Sequence, residues 1–140
     1  MVGDQIGKFI DLMQQNDFQI KLRENNIRIF KEVLIVKSKS FLSPKIFIVF
    51  TGVPCSNRKN LLTEIEELNK QINNNKPIIC VLIVSDASTP EDNLWFNSNI
   101  FVHIVLYNEK INSLSFGDDF HYSGSKFVRE IIGIMEKVIT

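Results

Sequence analysis

The sequence is poor in the residues that define several specialised classes of protein. It has two cysteines, two histidines, four prolines, six glycines and one tryptophan among 140 residues. Two cysteines and two histidines without close spacing do not form a zinc site, and Cys80 within an apolar run is typical of a small buried side chain. The formal net charge is zero, so any contact with nucleic acid has to come from a local patch of basic residues or through a larger assembly.

Long apolar stretches are also missing. The longest apolar runs are much shorter than a membrane span, and Met1-Val2-Gly3-Asp4 shows no basic segment followed by an apolar one. We therefore expect a soluble intracellular chain that has no signal peptide and binds no membrane. The length and the hydrophobic fraction of 44% fit one globular domain over residues 1–140.

Apolar periodicity predicts an α+β fold with a mixed sheet. Four helices are expected. Two of them cover residues 4–15 and 91–96. A third is capped by Ser56 or Asn57 and ends at Ile72, and the last is capped by Ser123 or Ser125 and ends near Val138. The expected strands cover 18–20, 27–37, 46–50, 78–84, 100–107 and 114–116, with a turn at 24–26. A helix between strands 45–51 and 78–84 favours a right-handed crossover, so these two strands should be parallel. The prediction is an α-β-β-β-α-β core with helices on both faces of the sheet and a C-terminal helix.

This order of elements is that of the restriction-endonuclease-like core. Active enzymes of that class need an acid on the second core strand, and an acid-x-lysine pattern on the third, to hold a divalent metal. The strand Lys45–Thr51 has no carboxylate, and Glu32 on the preceding strand has no acidic partner at the required place. We predict a scaffold without nuclease activity, and keep a divergent metal-dependent nuclease as an alternative.

Two further segments partly match known functional motifs, a phosphate-binding loop and a metal site, but neither segment meets what its motif requires. Residues 51–60 lie between a strand and a helix, as a phosphate-binding loop does, but positions 57–59 lack the required glycine, lysine and hydroxyl residue. Pro54 also removes a backbone N–H that would point at phosphate. Residues 118–122 contain two acids and a histidine, yet adjacent loop residues seldom converge on one metal. We predict no catalytic residue, no metal and no cofactor.

Three segments resemble the N-terminal jaw domain of the shared fifth subunit, the jaw subunit, of eukaryotic nuclear RNA polymerases. Residues 12–20 resemble the family's helix that runs into a short glycine-aromatic-x-valine strand, with Asp17 in place of the glycine. The apolar stretches 33–36 and 46–50 are similar in spacing to the two central strands of the jaw. Residues 65–90 resemble its helix, strand and threonine-proline loop. The resemblance covers about the first two-thirds of the chain.

The resemblance implies a restriction-endonuclease-like fold without catalytic residues, which agrees with the missing carboxylates. It implies a non-catalytic small subunit of a multisubunit DNA-dependent RNA polymerase, bound to the large subunits and lying near downstream double-stranded DNA that it holds weakly and nonspecifically. The location would be the nucleus, or the cytoplasm for a viral or plasmid-like polymerase. The residues expected to face DNA from loops at one end of the sheet are Lys37, Lys39, Arg58, Lys59, Thr89 and Pro90.

The chain departs from the family after Phe116, where it has no counterpart of the family's C-terminal assembly domain. A different function therefore stays open, namely a protein-binding adaptor or inhibitor module. Its binding residues would be Trp95 and Phe96, or the apolar side of the C-terminal helix.

Overall fold

The order of helices and strands follows the sequence prediction closely. The structure is a computed structural model that describes residues 3–40, 45–51, 58–76, 80–86, 94–97, 100–108, 113–115 and 125–139. The elements in chain order are α1 (Gly3–Gln15), β1 (Phe18–Ile27), β2 (Phe30–Ser38), β3 (Lys45–Thr51), α2 (Arg58–Ile72), β4 (Cys80–Asp86), β5 (Leu94–Asn97), β6 (Ile100–Asn108), β7 (Ser113–Ser115) and α3 (Ser125–Ile139).

All the described strands belong to one mixed sheet with the order β1-β2-β3-β4-β6-β5, and β7 pairs with β6. Strands β1, β2 and β3 form an antiparallel meander, whereas β3, β4 and β6 are parallel. The predicted parallel pairing of β3 with the strand after α2 is confirmed, as is the α-β-β-β-α-β order.

The helices cover both faces of the sheet, as predicted. Helices α1 and α3 pack on one face with Ile46, Ile48 and Phe50 of β3, and α2 packs on the other face with Phe47 and Val49. All five of these side chains are buried. A strand covered on both faces has no position that needs a polar residue, which explains the unbroken apolar run.

The helices bury apolar side chains on the face that packs against the sheet. In α1 the buried residues recur at helical spacing and are Ile6, Phe9, Ile10 and Met13. The α2 stripe buries Ile65 and Leu68, and α3 buries Ile131 and Met135. At the end of α2 the buried Asn73 amide donates to Asn69 Oδ1 at 2.9 Å, so the polar group there is satisfied. None of the described helices is both long and apolar enough to span a membrane.

The predicted turn at 24–26 is wrong. Strand β1 continues to Ile27, and a two-residue turn of Arg28 and Ile29 joins it to β2 because Ile27 pairs with Phe30. The polar residues of this stretch suggested a loop. They are tolerated because β1 lies at the edge of the sheet, where side chains face water while the backbone still pairs with β2.

The predicted short helix at 91–96 is also wrong in the part that the structure describes. Leu94–Asn97 form β5, which pairs antiparallel with β6, and residues 91–93 lie outside the described ranges. A stretch of four residues, of which three are apolar, is too short to show a periodicity that separates a helix from a strand. Here the antiparallel pairing with β6 favours the strand conformation.

Candidate nucleic-acid interface

The predicted cations Lys37 and Lys39 lie at the end of β2. Lys37 is half-buried on β2, where it stands opposite Gln19 of β1 and Lys45 of β3. Lys39 follows the strand, is exposed, and has its Nζ 4.0 Å from Asp17 Oδ1. The structure therefore places these two cations where β2 ends and β3 begins.

Asp17 positions this end of the sheet through its backbone. The residue follows α1 with a φ of 66°, in the left-handed region that glycine adopts without steric cost. Its carbonyl accepts a hydrogen bond from the backbone N–H of Lys39 at 2.8 Å, which ties the end of β2 to the α1–β1 turn.

Two further lysines belong to the same end, and the sequence interpretation did not single them out. Lys45 begins β3 opposite Lys37, and Lys21 lies at the bulge of β1 between Ile20 and Leu22. We call Lys21, Lys37, Lys39 and Lys45 the lysine cluster. A groove of about 450 Å³ at this end is lined by Gln14, Phe18, Gln19, Ile20, Lys21 and Lys39.

Arg58 and Lys59 lie at the other end of the sheet from the lysine cluster. They begin α2, which follows β3 after its last residue, Thr51. Thr51 pairs with Phe30 at the start of β2, beside the β1–β2 turn, whereas Lys37 pairs with the first residue of β3. Strands of this length separate the two ends by about 20 Å at roughly 3.3 Å per residue. The fold does not bring the predicted DNA-facing cations together.

The remaining predicted site residues are placed only in part. Thr89 and Pro90 lie outside the described residues, after the end of β4 at Asp86. Trp95 and Phe96 are on β5, where their backbones pair with Val102 and Phe101 of β6. Strands β5 and β1 are at opposite edges of the sheet, so Trp95 and Phe96 are not part of the lysine cluster.

Toward the β1–β2 turn, the arginines are paired with carboxylates. We call this region the hairpin end. Arg23 Nε donates to Glu32 Oε1 at 2.5 Å, and the Glu32 carboxylate is nearly buried, with 9% of its side chain exposed. Arg28 donates to both carboxylate oxygens of Glu64, at 2.7 and 3.3 Å, and these hydrogen bonds raise the pKa of Arg28 above its ordinary value.

Glu32 is the carboxylate that a nuclease interpretation would use, and its geometry is that of an internal ion pair. Its oxygen is bound by Arg23, and its cross-strand neighbour on β3 is the apolar Phe50. Within the part of the chain that the structure describes, no three His, Cys, Asp or Glu side chains are grouped to hold a metal ion. The geometry at Glu32 therefore favours a structural role for this acid.

No protein-family model, curated protein or solved structure matches this chain. The fold and the arrangement of charges at the two ends of the sheet therefore carry the functional argument.

Proposed function

We propose that the protein is a non-catalytic small subunit of a multisubunit DNA-dependent RNA polymerase and contributes a jaw-like module near downstream DNA. The observation that carries the proposal is the combination of an α-β-β-β-α-β core with a β3 that contains no carboxylate. The nearest acid on β2, Glu32, is engaged by Arg23. A scaffold whose described residues group no set of metal ligands is suited to a role that depends on its shape and surface.

Three features support the choice of a polymerase subunit over another binding role. The segments that resemble the jaw domain fall on the end of α1 with β1, on β2 and β3, and on α2 with β4, so they lie in consecutive parts of the core. Asp17 has the backbone conformation that suits the family's glycine. Exposed lysines at one end of the sheet offer weak, nonspecific contact with phosphate, which is the contact expected beside a passing duplex.

Purification from the organism that encodes the chain tests the proposal. An affinity-tagged copy should recover polymerase large subunits, identified by mass spectrometry, in near-equal molar amount to the chain. The association should persist after nuclease treatment, because it is formed between proteins. A chain that migrates alone, with no polymerase large subunit, contradicts the proposal.

Nuclease activity is tested separately. Incubation of the purified chain with duplex DNA and Mg²⁺ or Mn²⁺ should give no cleavage, since one ion-paired carboxylate holds a divalent metal poorly. Cleavage by the wild-type chain that disappears in Glu32→Ala would assign the protein to the metal-dependent nucleases instead.

A second candidate function is a protein-binding adaptor or inhibitor. The observation that favours it is Ile29 at the β1–β2 turn, which is 44% exposed and is the one strongly exposed large hydrophobic residue among those whose side-chain exposure the structure describes. The apolar residues of α3 are packed into the core and leave the helix no large apolar face of its own. Recovery of a stoichiometric non-polymerase partner that is lost in Ile29→Asp would favour this function.

A further inference from the structure

The pairing of β2 with β3 places two like charges side by side. Lys37 and Lys45 are directly opposite each other, where Cβ atoms are about 4.5–5.5 Å apart and like charges destabilise a sheet. Both side chains belong to the face of the sheet that α2 covers, because Lys37 is two residues from Ile35 and Lys45 is two residues from Phe47, and residues two apart in a strand share a face. Among the described residues, neither ammonium has an ion-pair partner.

The other two members of the lysine cluster extend the positive charge around the end of the sheet. Lys21 and Lys39 line the groove beside α1, together with Gln19, which stands opposite Lys37 of β2. The carboxylate that the structure places beside this group is Asp17, at 4.0 Å from Lys39. Three exposed lysines and the half-buried Lys37 therefore have, among the described residues, one carboxylate within ion-pair distance, in a chain whose formal net charge is zero.

We propose that the lysine cluster binds the phosphate backbone of duplex DNA. Each ammonium is a compact, strongly hydrated cation that meets phosphate as a point charge. The charges are spread over three strands and the residue that follows β2, which suits a row of phosphates better than one small anion. The inference rests on the proposed function in that the duplex is the DNA beside the polymerase. It places the contact at the end of the sheet opposite to Arg58 and Lys59.

Duplex DNA fits this surface better than an anionic membrane does. A basic surface that binds membranes needs apolar side chains that enter the lipid beside the cations. The apolar residues of the groove are used internally, because Phe18 is 2% exposed and Ile20 packs against the α1–α3 side of the core. Only the polar and charged groups of the described groove are free to meet a ligand.

Fluorescence anisotropy with a labelled duplex of about 20 base pairs tests the proposal on the purified chain. Four phosphate contacts predict a slope of log K against log salt of about −3.6, at roughly 0.9 per contact. The double variant Lys37→Gln/Lys45→Gln should bind about tenfold more weakly at low salt, with a slope shallower by about 1.8. Lys37→Arg/Lys45→Arg should retain the affinity, because the charge stays in place.

The matched control is Lys8→Gln/Lys126→Gln, which removes two exposed helical lysines and changes the net charge equally. It should leave the salt slope unchanged. An equal loss in the control, or no loss in the Lys37/Lys45 variant, overturns the proposal. So does binding to phosphatidylserine vesicles or inorganic phosphate that depends on Lys37 and Lys45 while duplex binding does not.

Two readouts separate a failure of this inference from misfolding and from a failure of the proposed function. Removal of two opposed like charges should leave the Tm unchanged or raised, so a large fall in Tm would indicate a structural role for the lysines and overturn the inference. Co-purification with the polymerase should persist in the Lys37→Gln/Lys45→Gln variant. A chain that co-purifies but has no lysine-dependent DNA binding refutes the DNA site alone.

Discussion

The two ends of the sheet use their cations differently. At the hairpin end, Arg23 and Arg28 are each bound to a carboxylate, and one of those carboxylates, Glu32, is nearly buried. At the other end, Lys37 and Lys45 face each other without an ion pair among the described residues, and Lys39 has only a distant contact with Asp17.

This difference separates charges that stabilise the fold from charges that are available to a ligand. Each guanidinium at the hairpin end already has a carboxylate partner, and moving it would leave Glu32 or Glu64 unpaired. The opposed lysines cost some stability in the isolated chain, and a polyanion would relieve that cost. The predictions that follow test this contrast between the two ends.

The largest effect is expected at the hairpin end, from Glu32→Ala. The substitution removes the buried partner of Arg23, whose side chain is 49% exposed and can reach water, so the cost is discounted from that of a fully buried pair. We expect the free energy of unfolding to fall by about 2 kcal/mol in urea denaturation. Glu24→Ala, on an exposed position of the same hairpin, is the control and should be near neutral; equal stability of the two variants would show that the Arg23 pair is not structural.

At the end of the sheet that carries the lysine cluster, we expect the backbone conformation of Asp17 to affect the free energy of unfolding more than its charge does. A β-branched side chain is strained at the φ of 66°, so Asp17→Val should lower the free energy of unfolding by about 1 kcal/mol. Asp17→Gly should stay within about 0.5 kcal/mol of wild type, because relief of strain and the added freedom of the unfolded chain oppose each other. Urea denaturation measures both, with Gln19→Val on exposed β1 as the control for adding valine; equal stability of the Val and Gly variants would exclude backbone strain at this turn.

A charge reversal at Lys45 should stabilise the folded chain while weakening the binding of DNA by the lysine cluster. Lys45→Glu converts the repulsion with Lys37 into an attraction and should raise the free energy of unfolding by about 0.5 kcal/mol. Lys45→Gln removes only the repulsion and should give a smaller gain. Thermal melts at low salt measure both variants, and a loss of stability in Lys45→Glu would show that the two side chains do not interact as the strand pairing indicates.

The smallest effect is expected at the exposed turn. Arg28 has a φ of 55°, so Arg28→Ala loses the ion pair with Glu64 and retains the strained backbone, whereas Arg28→Gly loses the ion pair and relieves the strain. We expect a slightly lower Tm for the Ala variant than for the Gly variant. Raising the salt concentration should reduce the difference in Tm between wild type and either variant, because the ion pair of Arg28 with Glu64 is partly exposed and therefore screened. A difference in Tm that grows with salt would contradict a stabilising role for this ion pair.

Much of the fold was predictable because it depends on burial within single elements. The stripe of α1, the continuous apolar run of β3 and the helix between β3 and β4 each leave a local pattern in the sequence. The errors fell where tertiary pairing overrode local preference. β1 extends through polar residues because β2 provides its hydrogen bonds, and Leu94–Asn97 form a strand because β6 has an open edge.

The candidate site was predictable only in part. Lys37 and Lys39 were singled out as cations in and after a strand, but Lys45 was not, since its importance comes from the strand pairing that places it opposite Lys37. Arg58 and Lys59 were grouped with them, although the crossover through α2 puts the start of that helix at the other end of the sheet. The positions of these residues in the sequence do not show at which end of the sheet each one lies.

The sequence by itself determined the mixed α/β fold, the central apolar strand without a carboxylate and the absence of an overall basic field. Each of these depends on residue type or local periodicity, which a chain carries whether folded or not. The tertiary structure alone decided that Glu32 forms an ion pair with Arg23 and that Lys37 and Lys45 lie opposite each other on paired strands. Interactions between charges depend on which strands are neighbours and in what register, and only packing of the whole sheet establishes those distances.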